Sequence, residues 1–248
     1  MKRRSVLKML GSGAILTCPL CNAHAAEKWG YEGPRGPEHW GNLDPSYAAC
    51  STGHQQSPVD LRGGIPAQLD EVQTFWRPFK LDILNNGHTI QVNVQSGSFM
   101  VLDGKRFDLL QFHFHHPSEH TLFGESFPME LHFVHKMTDG SLGVLGVFMT
   151  EGLESQTINT IWQNVPVDGG NRKVDTFIEP DTLLPHERTY FRYAGSLTTP
   201  PCSEVVSWTV MTQPITVSRR QIDAFSNLYP MNARPLQKLH RRFILGSF

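Results

Sequence analysis

The 248-residue sequence predicts a single, mostly β domain. From about residue 80 onward, nine short segments alternate apolar and polar residues, and turn sequences such as NNG, LDG and TDG separate them. Only two stretches show the spacing of amphipathic helices. A composition of 39% hydrophobic and 18% charged residues is sufficient for one sizeable core.

The first element is an export signal peptide, predicted over residues 1–25. It has a basic start, an apolar stretch over residues 6–20, and Ala23 and Ala25 in an A-x-A cleavage pattern. The run RRSVLK also resembles a twin-arginine signal, which would export a folded protein, and the Sec route stays open. Two glycines and a proline interrupt the apolar stretch, which argues against a membrane anchor. We therefore expect a periplasmic or otherwise exported protein.

The mature chain, residues 26–248, is expected to be mildly acidic. Removing the signal removes four basic and no acidic residues, so the formal charge moves from −1 to −5. Such a chain, without a basic stripe, is not expected to bind nucleic acid. No later stretch is long and apolar enough to enter a membrane. Of four cysteines, Cys50 and Cys202 lie in the mature chain, where an oxidising compartment favours a disulfide over free thiols.

Three kinds of element follow the signal. Residues 28–50 are rich in Gly, Pro and aromatic residues without periodicity, which predicts an ordered irregular segment packed by its rings. The alternating segments then predict strands, among them DLLQFHFH and MELHFVHK. The stretches SQTINTIWQNV and SRRQIDAFSNLY predict helices, and Ser218 with Gln221 forms a capping box for the second.

A dense histidine cluster, QFHFHHPSEH at residues 111–120, predicts a metal site. Alternate residues of a strand share a face, so His113 and His115 point the same way. His132 in a strand of the same character is the candidate for a third ligand. Three imidazoles with an open fourth position suit catalytic Zn²⁺, because structural zinc sites are usually closed and rich in thiolates.

Two further side chains support the zinc prediction. Gln111 and Glu130 each precede a candidate ligand by two residues, and so share its face. Ligating histidines usually donate their second ring nitrogen to such an acceptor. A lone histidine on a strand is far more often a surface or core residue, and we interpret His39, His54, His135, His186 and His240 in that way.

The motifs QFHFH, SEH, ELHFVH and GSLTTPPC, in this order, resemble the α-class carbonic anhydrases. The resemblance runs from WGYEG near residue 29 to NARPLQ near residue 232. It implies a twisted, mainly antiparallel sheet of about ten strands with a few short peripheral helices, and zinc at the bottom of a cleft. It also implies reversible hydration of CO₂ to bicarbonate by zinc-bound hydroxide, with His113, His115 and His132 as ligands and Gln111 and Glu130 behind them.

The resemblance assigns roles to residues around the zinc. The hydroxyl of Thr198 would accept the proton of the nucleophile and donate its own to Glu119, which leaves a lone pair directed at the substrate. A dry wall would hold CO₂, which offers no strong hydrogen bond. The substrate-binding residues implied in this way are Val134, Val144, Leu197, Thr199, Val206 and Trp208.

The resemblance also implies a proton path and a disulfide. His88 lies where the family has its proton shuttle, and a histidine titrates near neutral pH. Tyr31, Asn86 and Gln91 would hold the connecting water molecules, although the family often has Asn in place of Gln91. Cys50 and Cys202 match a pair that is bridged in exported bacterial members, and the bond before Pro201 is expected to be cis. Bacterial members further suggest a homodimer.

Two other functions are compatible with parts of the sequence. A cupin dioxygenase would use H-x-H followed by Glu119 as metal ligands, but the flanking glycines are misplaced and no second cupin motif follows. A binding protein that has kept the fold without turnover would be expected to have lost ligands, and all three candidate ligands are present here. Iron content would distinguish the first alternative, and CO₂ hydration the second.

Overall fold

The computed structural model describes residues 28–248, so the predicted signal peptide lies outside the described residues. Strands dominate, as the sequence predicts. The bounds of the fifteen strands are as follows: β1 Asp60–Leu61, β2 Ile65–Pro66, β3 Gln73–Phe75, β4 Phe79–Asn85, β5 Ile90–Asn93, β6 Phe99–Leu102, β7 Lys105–His115, β8 Thr121–Leu122, β9 Met129–Lys136, β10 Leu142–Glu151, β11 Gly170–Ile178, β12 Tyr190–Gly195, β13 Val206–Met211, β14 Ile215–Val217 and β15 Leu245–Gly246.

Thirteen of the strands form one mixed, mainly antiparallel sheet. Its main path runs β11-β4-β5-β7-β9-β10-β13-β12-β15-β2, with β6 beside β7, β3 beside β6 and β14 beside β10. Strands β1 and β8 form a separate parallel pair. The mostly β prediction is confirmed, and the sheet has thirteen strands where about ten were expected. The central strands β7, β9 and β10 are the ones that carry the histidine motifs and their neighbours.

The helices are short and lie outside the sheet. Their bounds are α1 Trp40–Leu43, α2 Ala49–Thr52, α3 Gln156–Trp162 and α4 Arg219–Ser226, with 3₁₀ turns at Gly33–Arg35, Pro45–Tyr47 and Pro180–Leu183. The predicted capping box is present at α4, where Ser218 Oγ accepts from the Gln221 amide and Gln221 Oε1 accepts from the Ser218 amide. Among residues 28–248, no helix has the length and apolar character needed to cross a bilayer.

The expectation of an irregular segment over residues 28–50 was wrong in one respect, because this segment contains α1, α2 and two 3₁₀ turns. Helices of one turn are too short to show a periodic pattern in the sequence. The ring packing is as expected. Trp40 is fully buried, donates from Nε1 to the carbonyls of Gly30 and Arg35, and meets Trp29 and Tyr31 edge to face.

The two faces of the sheet carry different cores. One face packs large apolar side chains such as Phe112, Phe114 and Phe133 against α3 and α4. The other face carries a smaller apolar cluster that includes Val134 and Trp208. Because side chains alternate along β7 and β9, the phenylalanines of the histidine motifs lie in the first core together with His135, whose ring stacks on Trp76, while His113, His115 and His132 lie on the second face.

Candidate metal centre

Three histidines converge on the second face of the sheet. His113 and His115 lie two residues apart on β7, and His132 of β9 lies directly opposite His113 in the antiparallel register. One ring nitrogen from each lies within 4.8 Å of the other two. The strand alternation and the register therefore bring together the three ligands predicted from the sequence.

The second ring nitrogen of each histidine has its own acceptor. His113 Nδ1 donates to Gln111 Oε1 at 2.9 Å, and His132 Nε2 donates to Glu130 Oε1 at 2.8 Å. His115 Nδ1 donates to the backbone carbonyl of Asn232 at 2.7 Å. The nitrogens that remain to face one another are Nε2 of His113, Nε2 of His115 and Nδ1 of His132. Fixing the tautomer in this way is what a metal site requires.

The protonation states also fit a metal. Burial lowers the pKa of all three histidines, that of His115 to about 4, so the rings are neutral at neutral pH. Neutral imidazole is the form that binds metals. His115 Nε2 is buried and has no hydrogen-bond partner among the described residues. A metal ion bound there would use its lone pair. Three neutral imidazoles without thiolates form a donor set that suits Zn²⁺ with one open position.

Glu130 anchors His132 from behind. Its Oε1 accepts from His132 Nε2 and from His120 Nδ1, and its Oε2 accepts from the backbone amides of Glu119 and His120. Burial alone would raise the pKa of this carboxyl, but the two histidines hold it well below its usual value. His120, Glu130 and His132 are also close enough to be considered as metal ligands. Because their facing atoms already hydrogen-bond to one another, we do not assign a metal to them.

Glu119 and Thr198 lie beside the histidines. Glu119 Oε1 accepts from the backbone amide of Arg234 at 2.8 Å, and its Oε2 lies 3.5 Å from His115 Nε2. Burial raises the pKa of Glu119 to about 7, while His132, the Arg234 amide and the Thr198 hydroxyl act in the opposite direction. Thr198 is itself buried. Thr198 is thus near enough to influence Glu119, but Glu119 Oε2 is buried without a hydrogen-bond partner among the described residues, so the Thr198–Glu119 hydrogen bond stays a prediction.

A disulfide holds the segment that carries Thr198. Cys50 and Cys202 are bonded, with Cα atoms 5.0 Å apart, as predicted. The Cys202 amide donates to the Thr199 carbonyl, and the Leu197 amide donates to the Ser203 carbonyl, so the turn closes on itself around Thr198. The bond before Pro201 is cis, as expected. The bridge ties this turn to Cys50 of α2, which lies 152 residues earlier in the sequence than Cys202.

An apolar wall lies next to His132. Val134 of β9, Val144 of β10 and Trp208 of β13 are aligned across three neighbouring strands. Val206 lies two residues before Trp208 on β13, and Leu197 packs against the same cluster. The Trp208 ring lies 4.8 Å from the His132 ring, centroid to centroid. These five predicted residues therefore form one surface, and Thr199 lies half-buried at the turn.

Of the predicted proton-path residues, Asn86 and His88 share one turn, Gln91 follows on β5, and Tyr31 belongs to the aromatic cluster with Trp29. The His88 ring stacks on Trp29 at a centroid distance of 3.9 Å, and burial lowers the pKa of His88. Burial also raises the pKa of Tyr31. Gln91 lies opposite His113 in the register and donates to Asn93 Oδ1. Asn86 Oδ1 accepts from the amides of His88 and Thr89, so this side chain shapes the turn that presents His88.

Several residues of the site have no strong sequence signal. Asn232 accepts from His115 through its carbonyl and donates from Nδ2 to the His88 carbonyl. Arg234 is buried and donates to Gln56 Oε1 and to the Ser57 and Cys50 carbonyls. Both belong to the motif NARPLQ, which marks the position of this segment but not its contacts. A backbone acceptor can be recognised only once the chain is folded.

Comparisons with known proteins agree with this geometry. The sequence-family model of the eukaryotic-type carbonic anhydrases matches residues 35–248 of this chain. A carbonic anhydrase of Nostoc sp. is 43% identical over 99% of this chain and 97% of its own length. One of Pectobacterium atrosepticum is 44% identical over 93% of this chain and 96% of its own. This chain is also similar in structure to the α-carbonic anhydrase of Thermovibrio ammonificans in complex with sulfanilamide, with a TM-score of 0.86 and 44% sequence identity. The match covers 88% of this chain and 98% of the other chain.

Proposed function

This chain belongs to the eukaryotic-type, or α, carbonic anhydrase family, and we propose that it hydrates CO₂ reversibly with Zn²⁺ held by His113, His115 and His132. The observation that carries the proposal is the convergence of three neutral imidazole nitrogens whose partner nitrogens are all satisfied. Carbonic anhydrases are the established example of enzymes in which Zn²⁺ lowers the pKa of water to about 7 and so supplies hydroxide at neutral pH.

The protein's own groups orient the nucleophile. Glu119 has one carboxylate oxygen held by the Arg234 amide and the other facing the histidines. When Glu119 is ionised it can only accept a hydrogen bond, so the Thr198 hydroxyl would donate to it. The oxygen of Thr198 is then left to accept the proton of the hydroxide. One lone pair of the nucleophile is thereby directed at the substrate carbon.

The apolar wall receives the substrate. CO₂ is small and forms no strong hydrogen bond, so a surface of Val134, Val144 and Trp208 binds it by contact and excludes competing water. This surface lies directly beside His132 in the register of the sheet. With Zn²⁺ held by the three histidines, hydroxide would add to the carbon of CO₂ at this wall and give bicarbonate.

A proton must leave the site after each turnover, and we assign its transfer to His88. The ring is half-buried at the edge of the site and stacks on Trp29, so one side of it stays open to water. Its lowered pKa leaves it mostly neutral and able to accept a proton at neutral pH. Gln91 lies opposite His113 in the register, and Tyr31 lines the same cavity as Glu119, so both are candidates to hold bridging water.

His88→Ala is expected to slow CO₂ hydration about 10-fold in dilute buffer. This is less than the 10²-fold that a positioned acid or base typically contributes, because water still accepts protons. Added imidazole should restore most of the rate, and the isotope exchange between CO₂ and bicarbonate, which needs no net proton release, should be unchanged. His186→Ala, an exposed control, should behave as wild type. Equal rates for His88→Ala and wild type in dilute buffer would remove His88 from the path.

The disulfide supports an exported compartment. A disulfide such as the one between Cys50 and Cys202 is typical of proteins that fold outside the reducing cytoplasm. Together with the sequence of residues 1–25, this supports export to the periplasm with removal of a signal peptide. The homodimer stays a prediction.

Stopped-flow CO₂ hydration tests the proposed activity. The mature protein should hydrate CO₂ well above the uncatalysed rate. A folded, zinc-loaded protein without such activity would instead be a binding protein with the family's fold.

A further inference from the structure

Gly146 occupies an unusual position for a glycine, in the middle of the central strand β10. Glycine weakens a strand and often marks a place where another group approaches closely. In the register, Gly146 lies directly opposite His132 on β9 and opposite Val210 on β13. It therefore lies beside the third candidate zinc ligand in the sheet, and a side chain at this position would point to the same face as the metal site.

The space that a side chain would need at Gly146 is taken. A Cβ atom would lie 3.2 Å from Glu130 Oε1, and 3.3 and 3.4 Å from the two methyl groups of Val210. These distances are shorter than ordinary contacts, so a neighbour would have to move by a few tenths of an ångström.

Glu130 cannot move without losing hydrogen bonds. Its two oxygens accept four of them, at 2.7 to 2.8 Å, from His132, His120 and two backbone amides. Both Glu130 and Val210 are fully buried, so no solvent gap can absorb a displacement. The substitution should disturb the hydrogen bond between Glu130 Oε1 and His132 Nε2 most directly, because Oε1 is the atom nearest to the added carbon.

We propose that Gly146 is a positioning residue for the metal centre: its missing side chain leaves room for the Glu130 carboxylate behind His132, and this sets the affinity for zinc. The inference rests on the proposed zinc site. A partner that orients a ligating histidine typically contributes 10- to 100-fold in metal affinity. Gly146 acts on the metal only through Glu130 and His132.

The test is the zinc affinity of Gly146→Ala, measured by competition with a chelator. We expect binding about 10-fold weaker than wild type. Gly143→Ala is the matched control on the same strand, because its Cβ would meet Met100 and Phe107 in the other core and not Glu130. Gly143→Ala should lose thermal stability and keep wild-type zinc affinity. Wild-type affinity in folded Gly146→Ala would overturn the inference.

Two additions make the test decisive. In the metal-free protein, the proton between His132 Nε2 and Glu130 should give a strongly downfield NMR signal, and Gly146→Ala should shift it upfield. If Gly146→Ala does not fold, Val210→Ala is compared with Gly146→Ala/Val210→Ala, which lacks the two methyl contacts but keeps the contact with Glu130. Equal zinc affinity in that pair would also overturn the inference. Absence of zinc binding in the wild type would instead refute the proposed function.

Discussion

His113→Ala is expected to lower zinc affinity by more than 100-fold and to reduce CO₂ hydration to near the uncatalysed rate. Removing a ligand should weaken zinc binding by more than roughly 100-fold, which is the upper range of the loss when a residue that only orients a ligand is removed. His113 is the best ligand to replace, because it is half-buried while His115 and His132 are fully buried, so the fold should tolerate the change.

His116→Ala is the matched control for this change. His116 lies in the same histidine cluster and is similarly half-buried, but its ring donates to the Pro230 carbonyl, away from the three converging nitrogens. Its replacement should leave zinc content and turnover near wild type. Full zinc occupancy with wild-type turnover in His113→Ala would remove His113 from the ligand set.

Thr198→Ala is expected to lower turnover about 100-fold while the protein keeps its zinc. Removing one preorganised hydrogen-bonding group that acts in the transition state typically costs 10² to 10³-fold. In the proposed mechanism Thr198 would contact the nucleophile and Glu119, and it is not one of the three residues proposed to hold zinc. Zinc content by elemental analysis, together with stopped-flow rates at saturating CO₂, separates the loss of orientation from the loss of metal.

Thr198→Ser supplies the control, because it keeps the hydroxyl and removes only a methyl group. It should retain most of the activity that Thr198→Ala loses. Loss of activity to the same extent in both variants would indicate that packing of the disulfide-held turn matters, and not the hydroxyl.

The central strands could be predicted from the sequence because burial of one or both faces leaves a strong pattern. MELHFVHK and SLGVLGVFMT became β9 and β10 nearly as expected. Four sheet strands that the sequence did not suggest lie toward the edges, and β11 is the longest of them. Gly170–Ile178 is almost entirely exposed, so it has no apolar alternation to recognise. Strands β2 and β15 have two residues each, too few for any pattern.

In the candidate site, too, the residues that follow a local strand pattern could be predicted, and those that depend on distant contacts could not. His113 and His115 share a face by strand alternation, and His132 could be proposed because β9 has the same character as β7. The acceptor for His115 could not be found in this way, since it is the Asn232 carbonyl, 117 residues away. Sequence reasoning also missed that Asn86 Oδ1 accepts from two backbone amides of the His88 turn, and the expectation that Asn86 holds water stays a prediction.

The most direct measurement is CO₂ hydration by the mature, zinc-depleted protein as zinc is added back in known amounts. The three histidines form one site, so the rate should rise linearly from the uncatalysed value and level off at one zinc per chain. Activity that survives complete removal of zinc, or a zinc-saturated protein that remains inactive while folded, would contradict the assignment of this centre as the catalytic site.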